Sequence, residues 1–442
     1  MTETPGFVKA SRDTPPSRWA TIPHMRSTNS SVSPRKLRIL MVAPTSFFAD
    51  YGCHVRIYEE ARALQARGHR VRICTYHNGN DLPELDIRRS VDVPWLKRAE
   101  VGSSRHKAYL DVALFAETLR QAIAFKPDVI HGHLHEGALI GGVVARLLRK
   151  PLVFDFQGSL TEEMLDHGFI RQRGRRERFF RRLERFIDRL PATIIPSSDA
   201  GRQHLLRTGT SSGRIELVHD GVDTCRFDPS AQATERVSVR QELGIPEHAR
   251  VVVYLGLLAD YQGTSVLIDA ARKLIARDEN LYVVIAGYPG ADRYAAQAVD
   301  MPRRGRVLFP GRVPYERAPA ILSIGDVAVA PKISTTESNG KLFNYMAMGL
   351  PVVATDTPTN REILGGLGHL VTPGDADALA AGVECALLDG DVERSALRQR
   401  IVDFYSWDER IVDIEIVYLR ALAPRTEWTE RPEHEPRRAS AD

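Results

Sequence analysis

The feature that most constrains the fold of this chain is a regular alternation of short apolar runs with amphipathic stretches of helical spacing. A nearly continuous apolar run is typical of a β-strand that is buried on both faces, as in a parallel sheet. Ten such runs fall into two series of five: 37–43, 71–74, 129–131, 152–154 and 193–196, then 251–256, 281–286, 307–309, 327–330 and 351–354. Two consecutive α/β units of similar size are therefore predicted.

The first unit shows this pattern most clearly. Strand 37–43 is followed by a polar loop that contains Gly52, and Gly68 ends the helix that comes next. The helix is indicated by apolar residues at helical spacing: Val55, Tyr58, Ala61 and Leu64. Because strand 71–74 follows directly, the segment is a β-α-β unit, which favours parallel pairing through a right-handed crossover.

Composition constrains the number of domains and the expected cellular location of the protein. The 442 residues allow two domains with substantial cores, and the net charge of +4 does not indicate a nucleic-acid-binding protein. The four cysteines are scattered without metal-type spacing. The first residues lack the apolar core of a signal peptide, and no apolar run approaches the roughly 18 residues that span a bilayer. We therefore expect a cytoplasmic protein.

The chain divides into five predicted segments. Residues 1–35 and 424–442 are rich in proline and polar residues without apolar periodicity, so we expect disordered tails. A first Rossmann-like domain is predicted over 36–220 and a second over 221–405. Residues 406–423 are expected to form a final helix.

Ligands of open parallel sheets bind at the carboxyl ends of the strands, where glycines let backbone amides approach phosphate. Four loops have this position: 44–52, 256–263, 287–290 and 331–342. In the fourth, Gly340 would permit close approach of a diphosphate, and Lys341 and Leu342 would offer amides at a helix start. The Lys341 ammonium would stabilise charge on a leaving group. The alternative is an ordinary helix cap, with Lys341 and Glu337 as solvated loop charges.

The most specific motif is segment 340–354, which reads Gly-Lys-Leu-Phe-Asn-Tyr-Met-Ala-Met-Gly-Leu-Pro-Val-Val-Ala. Together with segments 219–223, 355–363, 370–375 and 404–422, in this order, it resembles the large retaining glycosyltransferase family four. The resemblance covers residues 36–423 and implies the GT-B fold, an α/β architecture of two Rossmann-like domains whose parallel sheets face each other across a cleft. It also implies an acceptor in the first domain, a donor mainly in the second, and a final helix that crosses back to the first domain.

The resemblance implies transfer of a sugar from a nucleotide-sugar donor to an acceptor hydroxyl with retention of configuration, without a metal or other cofactor. The acceptor would be a glycan, a lipid-linked molecule or a small molecule. Lys341 and Glu337 are the expected catalytic residues. Donor-binding positions are expected at Gly52, Gln157, Gly256, Gln262, Gly287, Asn339, Gly340, Leu342 and Asn344. His54 and His133 are expected on the acceptor side.

Several positions depart from the family pattern. Asn344 replaces a glutamate expected at the donor ribose, and Leu257 and Gln262 replace an arginine and a lysine. Glu337 lies one residue closer to position 344 than is usual, and Gln157 stands where many relatives have histidine. These departures leave a second interpretation open, a non-catalytic GT-B module that binds a nucleotide sugar or a protein partner.

Three histidines, His131, His133 and His135, alternate at the end of a predicted strand. A metal site is one interpretation. No cluster of carboxylates or cysteines accompanies them in the sequence, so packing or lining of the cleft is the favoured interpretation.

Residues 171–189 contain nine arginines, and apolar residues in and beside this stretch form a helical stripe: Phe179, Leu183, Phe186, Ile187 and Leu190. One interpretation is a stripe that faces the core beneath a solvated basic face. The other is docking to anionic lipid at the inner face of the membrane, which would suit a lipid-linked acceptor. Nucleic acid is disfavoured as a partner because aromatic residues do not interleave on the basic face.

Overall fold

The computed structural model describes residues 35–49, 52–92, 107–166, 169–303, 305–333 and 339–423. Glu337 and the predicted tails, apart from residue 35, lie outside the described residues. The first unit has strands β1 (Arg38–Ala43), β2 (Arg70–Thr75), β3 (Asp86–Arg89), β4 (Val129–His133), β5 (Leu152–Phe156) and β6 (Thr193–Pro196). Its helices are α1 (Gly52–Ala66), α2 (Lys107–Phe125), α3 (Leu134–Leu148), α4 (Leu160–Asp166), α5 (Arg175–Ile187) and α6 (Asp199–Arg207).

The second unit repeats this arrangement. Its strands are β7 (Arg250–Leu257), β8 (Leu281–Tyr288), β9 (Val307–Gly311), β10 (Val327–Ala330), β11 (Val352–Thr355) and β12 (His369–Val371). The remaining helices are α7 (Ala233–Glu242), α8 (Thr264–Arg277), α9 (Ala291–Gln297), α10 (Ala318–Ser323), α11 (Lys341–Ala347), α12 (Pro358–Leu364), α13 (Ala376–Ala386), α14 (Asp391–Phe404) and α15 (Trp407–Leu422).

Each unit contains a parallel sheet of six strands. The strand orders are β3-β2-β1-β4-β5-β6 and β12-β11-β10-β7-β8-β9. In each sheet the first three strands of the unit lie on one side, and the next three are added on the other side, so the strand order reverses near the centre. All ten predicted apolar runs coincide with strands, and the central strands are buried on both faces as their composition requires. The predicted α/β class with two Rossmann-like domains is confirmed.

The two sheets present their carboxyl ends to each other. The Tyr288 hydroxyl, at the end of β8, donates to the carbonyl oxygen of Ala49, in the loop after β1, at 2.7 Å. Aromatic rings meet beside this contact, since Tyr315 lies 6.0 Å from Tyr58 of α1 and 6.5 Å from Phe48. The loops predicted to bind ligand therefore face a common cleft.

The chain passes between the units twice, and the two crossings lie side by side. The Val222 amide donates to Tyr405 (2.9 Å), and the Trp407 amide donates to Val222 (3.2 Å). Gly221 is required here because a Cβ atom at this position would lie 2.9 Å from the Trp407 ring. Beyond the second crossing, α15 packs on α1, where Glu415 accepts from Arg67 at 2.6 Å. The last helix thus lies on the first unit.

Candidate active site

Two loops of the second unit meet at Lys341, the first residue of α11. The Lys341 Nζ donates to Gln262 Oε1 at 2.6 Å and lies 5.0 Å from the centroid of the Tyr254 ring. Its stem covers Gly256, where a Cβ atom would lie 3.0 Å from Lys341 Cε. The structure therefore brings together Lys341 of predicted loop 331–342 with Gly256 and Gln262 of predicted loop 256–263.

The position of Lys341 follows from how α11 is held. The Tyr345 hydroxyl, one turn into this helix, accepts from the Leu255 amide at 2.9 Å, which fixes α11 against the end of β7. Gly287 pairs with Gly256 in the next strand, and a Cβ atom there would lie 1.8 Å from the Gly256 carbonyl oxygen. Its φ of +155° also favours glycine. Gly256 is half-buried beside the Lys341 side chain, and Gly287 is buried.

The other predicted donor residues differ in their access to the cleft. Gly340 is exposed, and Asn344 is half-buried on α11. Asn339 is buried, and its side-chain amide donates to Asn360 at 3.3 Å. Leu342 is fully buried, and its N–H donates to the Asn339 carbonyl (2.9 Å), so this amide is held within the turn instead of facing a ligand. Gly52 begins α1 and is exposed.

In the first unit, a buried carboxylate organises the end of β5. Both oxygens of Asp155 accept from Arg56, at 2.7 Å from Nη2 and 3.0 Å from Nε. Asp155 also accepts from His133 Nδ1 (3.0 Å) and from Gln157 Nε2 (2.7 Å). Burial opposes its ionisation, but Arg56 and then His133 hold the pKa of Asp155 well below its ordinary value. Arg56 in turn pairs with Asp220 of the linker.

A second set of buried groups adjoins the first. His131 Nδ1 lies 3.0 Å from Glu60 Oε1 and 2.6 Å from the hydroxyl of Tyr418, which comes from α15. Burial, and then the neighbouring His131, lower the pKa of His133. His133 is therefore a neutral imidazole, and its Nδ1 carries the hydrogen because an ionised carboxylate can only accept.

Two carboxylates that were not predicted from the sequence lie near the alternating histidines. Glu60, His131, His133 and Asp155 offer potential ligand atoms that all lie within 4.8 Å of one another. The rings of His131 and His133 are stacked, however, with centroids 4.4 Å apart and planes at 20°. Two nearly parallel rings cannot both direct in-plane lone pairs at one ion about 2 Å away. The cluster fits a hydrogen-bonded network better than a metal site.

The predicted acceptor-side histidines both lie beneath the cleft surface. His54 is fully buried, with its ring 6.0 Å from that of Phe47, and burial lowers its pKa to about 3. His133 is equally buried. Gln157, another residue predicted to lie in the site, is half-buried at the carboxyl end of β5. It lies at the edge of this network, through its hydrogen bond to Asp155.

Four residues of this network were not singled out from the sequence: Arg56, Glu60, Asp155 and Tyr418. Asp155 could have been identified from the sequence, because it interrupts an apolar strand that is buried on both faces. A charge in such a strand has to be paired. Its partner Arg56 lies 99 residues away, and nothing in the periodicity of α1 identifies it.

Helix α5 differs from the predicted basic helix in how its apolar stripe is oriented. Ile187 is buried, but Phe179 and Phe186 are 60% and 53% exposed, beside the arginines. The inner face instead carries Glu184 and Asp188, which lie 3.6 and 3.8 Å from His135. The interpretation of a core-facing stripe therefore holds in part: Leu183, Ile187 and Leu190 pack toward the apolar core, whereas Phe179 and Phe186 do not. Within the described ranges, no helix combines the length and apolar character needed to cross a bilayer.

Two family models and several curated proteins are similar to this chain. Residues 51–221 match the glycosyl transferase 4-like domain, and residues 235–402 match glycosyl transferases group 1. The chain is 27% identical over 360 residues to D-inositol 3-phosphate glycosyltransferase of Corynebacterium efficiens, covering 77% of this chain and 81% of that protein. It is 26% identical over 394 residues to phosphatidyl-myo-inositol mannosyltransferase of Mycobacterium leprae, covering 86% and 96%.

A solved structure has the same fold. Anabaena Alr3699/HepE, in complex with UDP and glucose, superposes with a TM-score of 0.70 at 17% identity, covering 86% of this chain and 99% of that one. The two family matches together cover most of the chain and contain every strand of the two sheets except β1. The chain therefore belongs to glycosyltransferase family four and is a glycosyltransferase with the GT-B fold.

Proposed function

We propose that this glycosyltransferase takes its sugar from a nucleotide-sugar donor and transfers it to an acceptor hydroxyl with retention of configuration. The observation that carries the proposal is the convergence of Lys341, Gln262 and the bare backbone of Gly256 at the carboxyl end of the second sheet. A cation beside a glycine at the carboxyl end of a parallel strand suits a diphosphate. The donor's diphosphate would lie over Gly256, next to the Lys341 ammonium.

Lys341 would act on the leaving group. Negative charge develops on the diphosphate as its bond to the sugar breaks, and an ammonium already in place stabilises that charge without reorganisation. Gln262 helps by accepting from Nζ, which restricts where the ammonium lies. His54 is a poor base because burial lowers its pKa to about 3. We therefore propose that the acceptor proton passes to a phosphate oxygen of the departing nucleotide.

The acceptor proposal rests on the named relatives. One is named for D-inositol 3-phosphate and another for phosphatidyl-myo-inositol. We propose that the acceptor of this chain is likewise a polyol of the inositol type, either phosphorylated or lipid-linked. Such an acceptor offers the hydroxyl that the reaction requires.

A transfer assay tests this proposal. UDP-, GDP- and ADP-sugars are offered with inositol 3-phosphate or phosphatidylinositol, and the anomer of the product is read by NMR. We expect an α-linked product from an α-linked donor, unchanged by excess chelator because the proposed chemistry uses Lys341 in place of a metal. An inverted product contradicts retention, and loss of transfer in chelator contradicts the metal-free mechanism. Binding of donor without transfer or hydrolysis favours the non-catalytic alternative.

We also propose that α5 contacts an anionic membrane surface. The exposed rings of Phe179 and Phe186 lie on the same helix as the exposed side chains of Arg175, Arg176 and Arg182. Apolar rings beside cations are the pattern of a helix that lies in the plane of a membrane interface. A lipid-linked acceptor would then meet the first domain at that surface.

Vesicle binding is expected to rise with anionic lipid and to fall with salt, since each arginine near such a surface contributes about 1 kcal/mol. Replacing Arg175, Arg176 and Arg182 by glutamine should abolish most of the salt-dependent binding, as measured by vesicle sedimentation. The matched control is Arg277→Gln with Arg293→Gln, two exposed arginines of the second domain. Equal binding by both variants, or no binding by wild type at low salt, contradicts the proposal.

A further inference from the structure

The side chain of Gln157 is held by the buried network of the first domain. Its Nε2 donates to Asp155 Oδ2 at 2.7 Å, while Arg56 and His133 donate to the same carboxylate. Asp155 is completely buried and Arg56 is 6% exposed, whereas Gln157 is half-buried. Gln157, at the carboxyl end of β5, is therefore hydrogen-bonded to a buried carboxylate that is itself held by Arg56 and His133.

This contact fixes which way the Gln157 amide faces. The two ends of a glutamine amide are chemically different, but an ionised carboxylate can only accept hydrogen bonds. Since Arg56 keeps Asp155 ionised, the NH₂ group of Gln157 has to face Asp155. The carbonyl oxygen is consequently turned away from the buried network and remains a hydrogen-bond acceptor.

We propose that Asp155 is a positioning residue for the transfer reaction: it orients Gln157 so that the Gln157 carbonyl oxygen accepts a hydrogen bond from a hydroxyl of the sugar. Gln157 follows β5, at the same carboxyl edge of the first sheet as the loop after β1, through which Ala49 contacts Tyr288 of the second domain. Arg56 supports this arrangement by joining Asp155 to Asp220 of the interdomain linker. The inference rests on the proposed function, because it requires a sugar in the cleft.

The substitution Gln157→Glu tests the orientation through a pH profile. When protonated, the introduced carboxyl can donate its O–H to Asp155 and present its carbonyl oxygen as glutamine does. When ionised, it meets the Asp155 carboxylate at hydrogen-bonding distance, and the repulsion raises its pKa strongly. Among the described residues, Arg56, His133, Glu60 and Tyr418 are the other charged or titratable groups that interact with Asp155, and Arg56 is already shared with Asp220.

We expect the variant to be active under acidic conditions and to lose activity as the pH rises. Relative to wild type, its kcat/KM for donor hydrolysis or transfer should fall by about tenfold or more between about pH 5.5 and pH 8, as the carboxyl ionises. The affinity for the donor's nucleoside diphosphate should stay constant over this range, because Gln157 belongs to the other domain. An unchanged affinity for the nucleoside diphosphate would also show that the variant is folded.

The matched control is Gln399→Glu. Gln399 donates to Asp403 at 2.8 Å on the exposed surface of α14, so it reproduces the glutamine–carboxylate pair away from the cleft. Its pH profile should follow wild type. A Gln157→Glu profile parallel to wild type, beside an active wild-type enzyme, contradicts the inference alone. A wild type that neither transfers nor hydrolyses any nucleotide sugar contradicts the proposed function and the inference with it.

Discussion

Replacing Lys341 by alanine is expected to lower kcat by about two orders of magnitude, as the loss of a preorganised charge stabiliser typically does. The ammonium lies against Gly256 and Gln262, so its removal leaves the departing diphosphate without that cation. The side chain is half-buried and begins a helix that Tyr345 anchors independently, so the fold should survive. Steady-state kinetics with the best donor measure the effect.

The control for this experiment is Lys273→Ala, which removes an exposed lysine paired with Asp377 in the same domain. It should leave kcat unchanged. The variant Gln262→Leu should cost less than Lys341→Ala, because it retains the cation and loses only the contact that holds it. A Lys341→Ala enzyme that melts cooperatively and turns over at the wild-type rate excludes Lys341 from the mechanism.

Replacing Arg56 by methionine is expected to destabilise the protein by about 3–5 kcal/mol, the usual cost of removing one partner from a buried ion pair. Asp155 is completely buried and Asp220 is largely so, and both carboxylates would lose the same cation. Methionine keeps much of the side-chain volume, which limits any added cavity. The free energy of unfolding from urea titrations measures the loss.

The exposed pair of Arg277 and Glu384 provides the comparison, because Arg277→Met removes an equally direct contact at the surface. Screening by solvent should keep that cost below about 1 kcal/mol. If Arg56→Met is no more costly than Arg277→Met, the network around Asp155 does not support the first domain in the way described.

The sheets were predictable because buried parallel strands leave a direct trace in the sequence. Two strands, β3 and β12, have no apolar run of this kind and were not predicted. Strand β3 reads Asp-Ile-Arg-Arg at the edge of its sheet, and β12 has only three residues at the edge of the other. An edge strand is covered on fewer sides, so it needs no apolar run, and its pairing depends on the neighbour that reaches it.

The donor loops were also predictable, since the carboxyl ends of parallel strands meet at one edge. The contacts within the site were not. Lys341 and Gln262 are 79 residues apart, and Arg56 and Asp220 are 164 apart, so no local pattern joins them. Segment 219–223 resembles the family's interdomain segment but has Asp220 where the family usually has asparagine. Asp220, in place of the usual asparagine, supplies a charged partner for Arg56.

The orientation of α5 was the least predictable feature. Its apolar residues have helical spacing, which indicates an amphipathic helix but does not say whether the apolar side meets the core or the outside. The inner face is instead occupied by Glu184 and Asp188, close to His135. Acidic and basic residues are interspersed within this one helix, so the distribution of charge in the sequence does not show which face of α5 is buried.

We propose that the loops of the second domain around Lys341 hold the donor's diphosphate. Hydrogen–deuterium exchange with and without saturating nucleoside diphosphates tests it directly, since bound ligand slows exchange of the amides it covers. We predict protection of segments 256–263 and 339–347, no change over 229–242, and loss of the protection at 339–347 in Lys341→Ala. Protection confined to the first domain, or none with any nucleotide, contradicts the account.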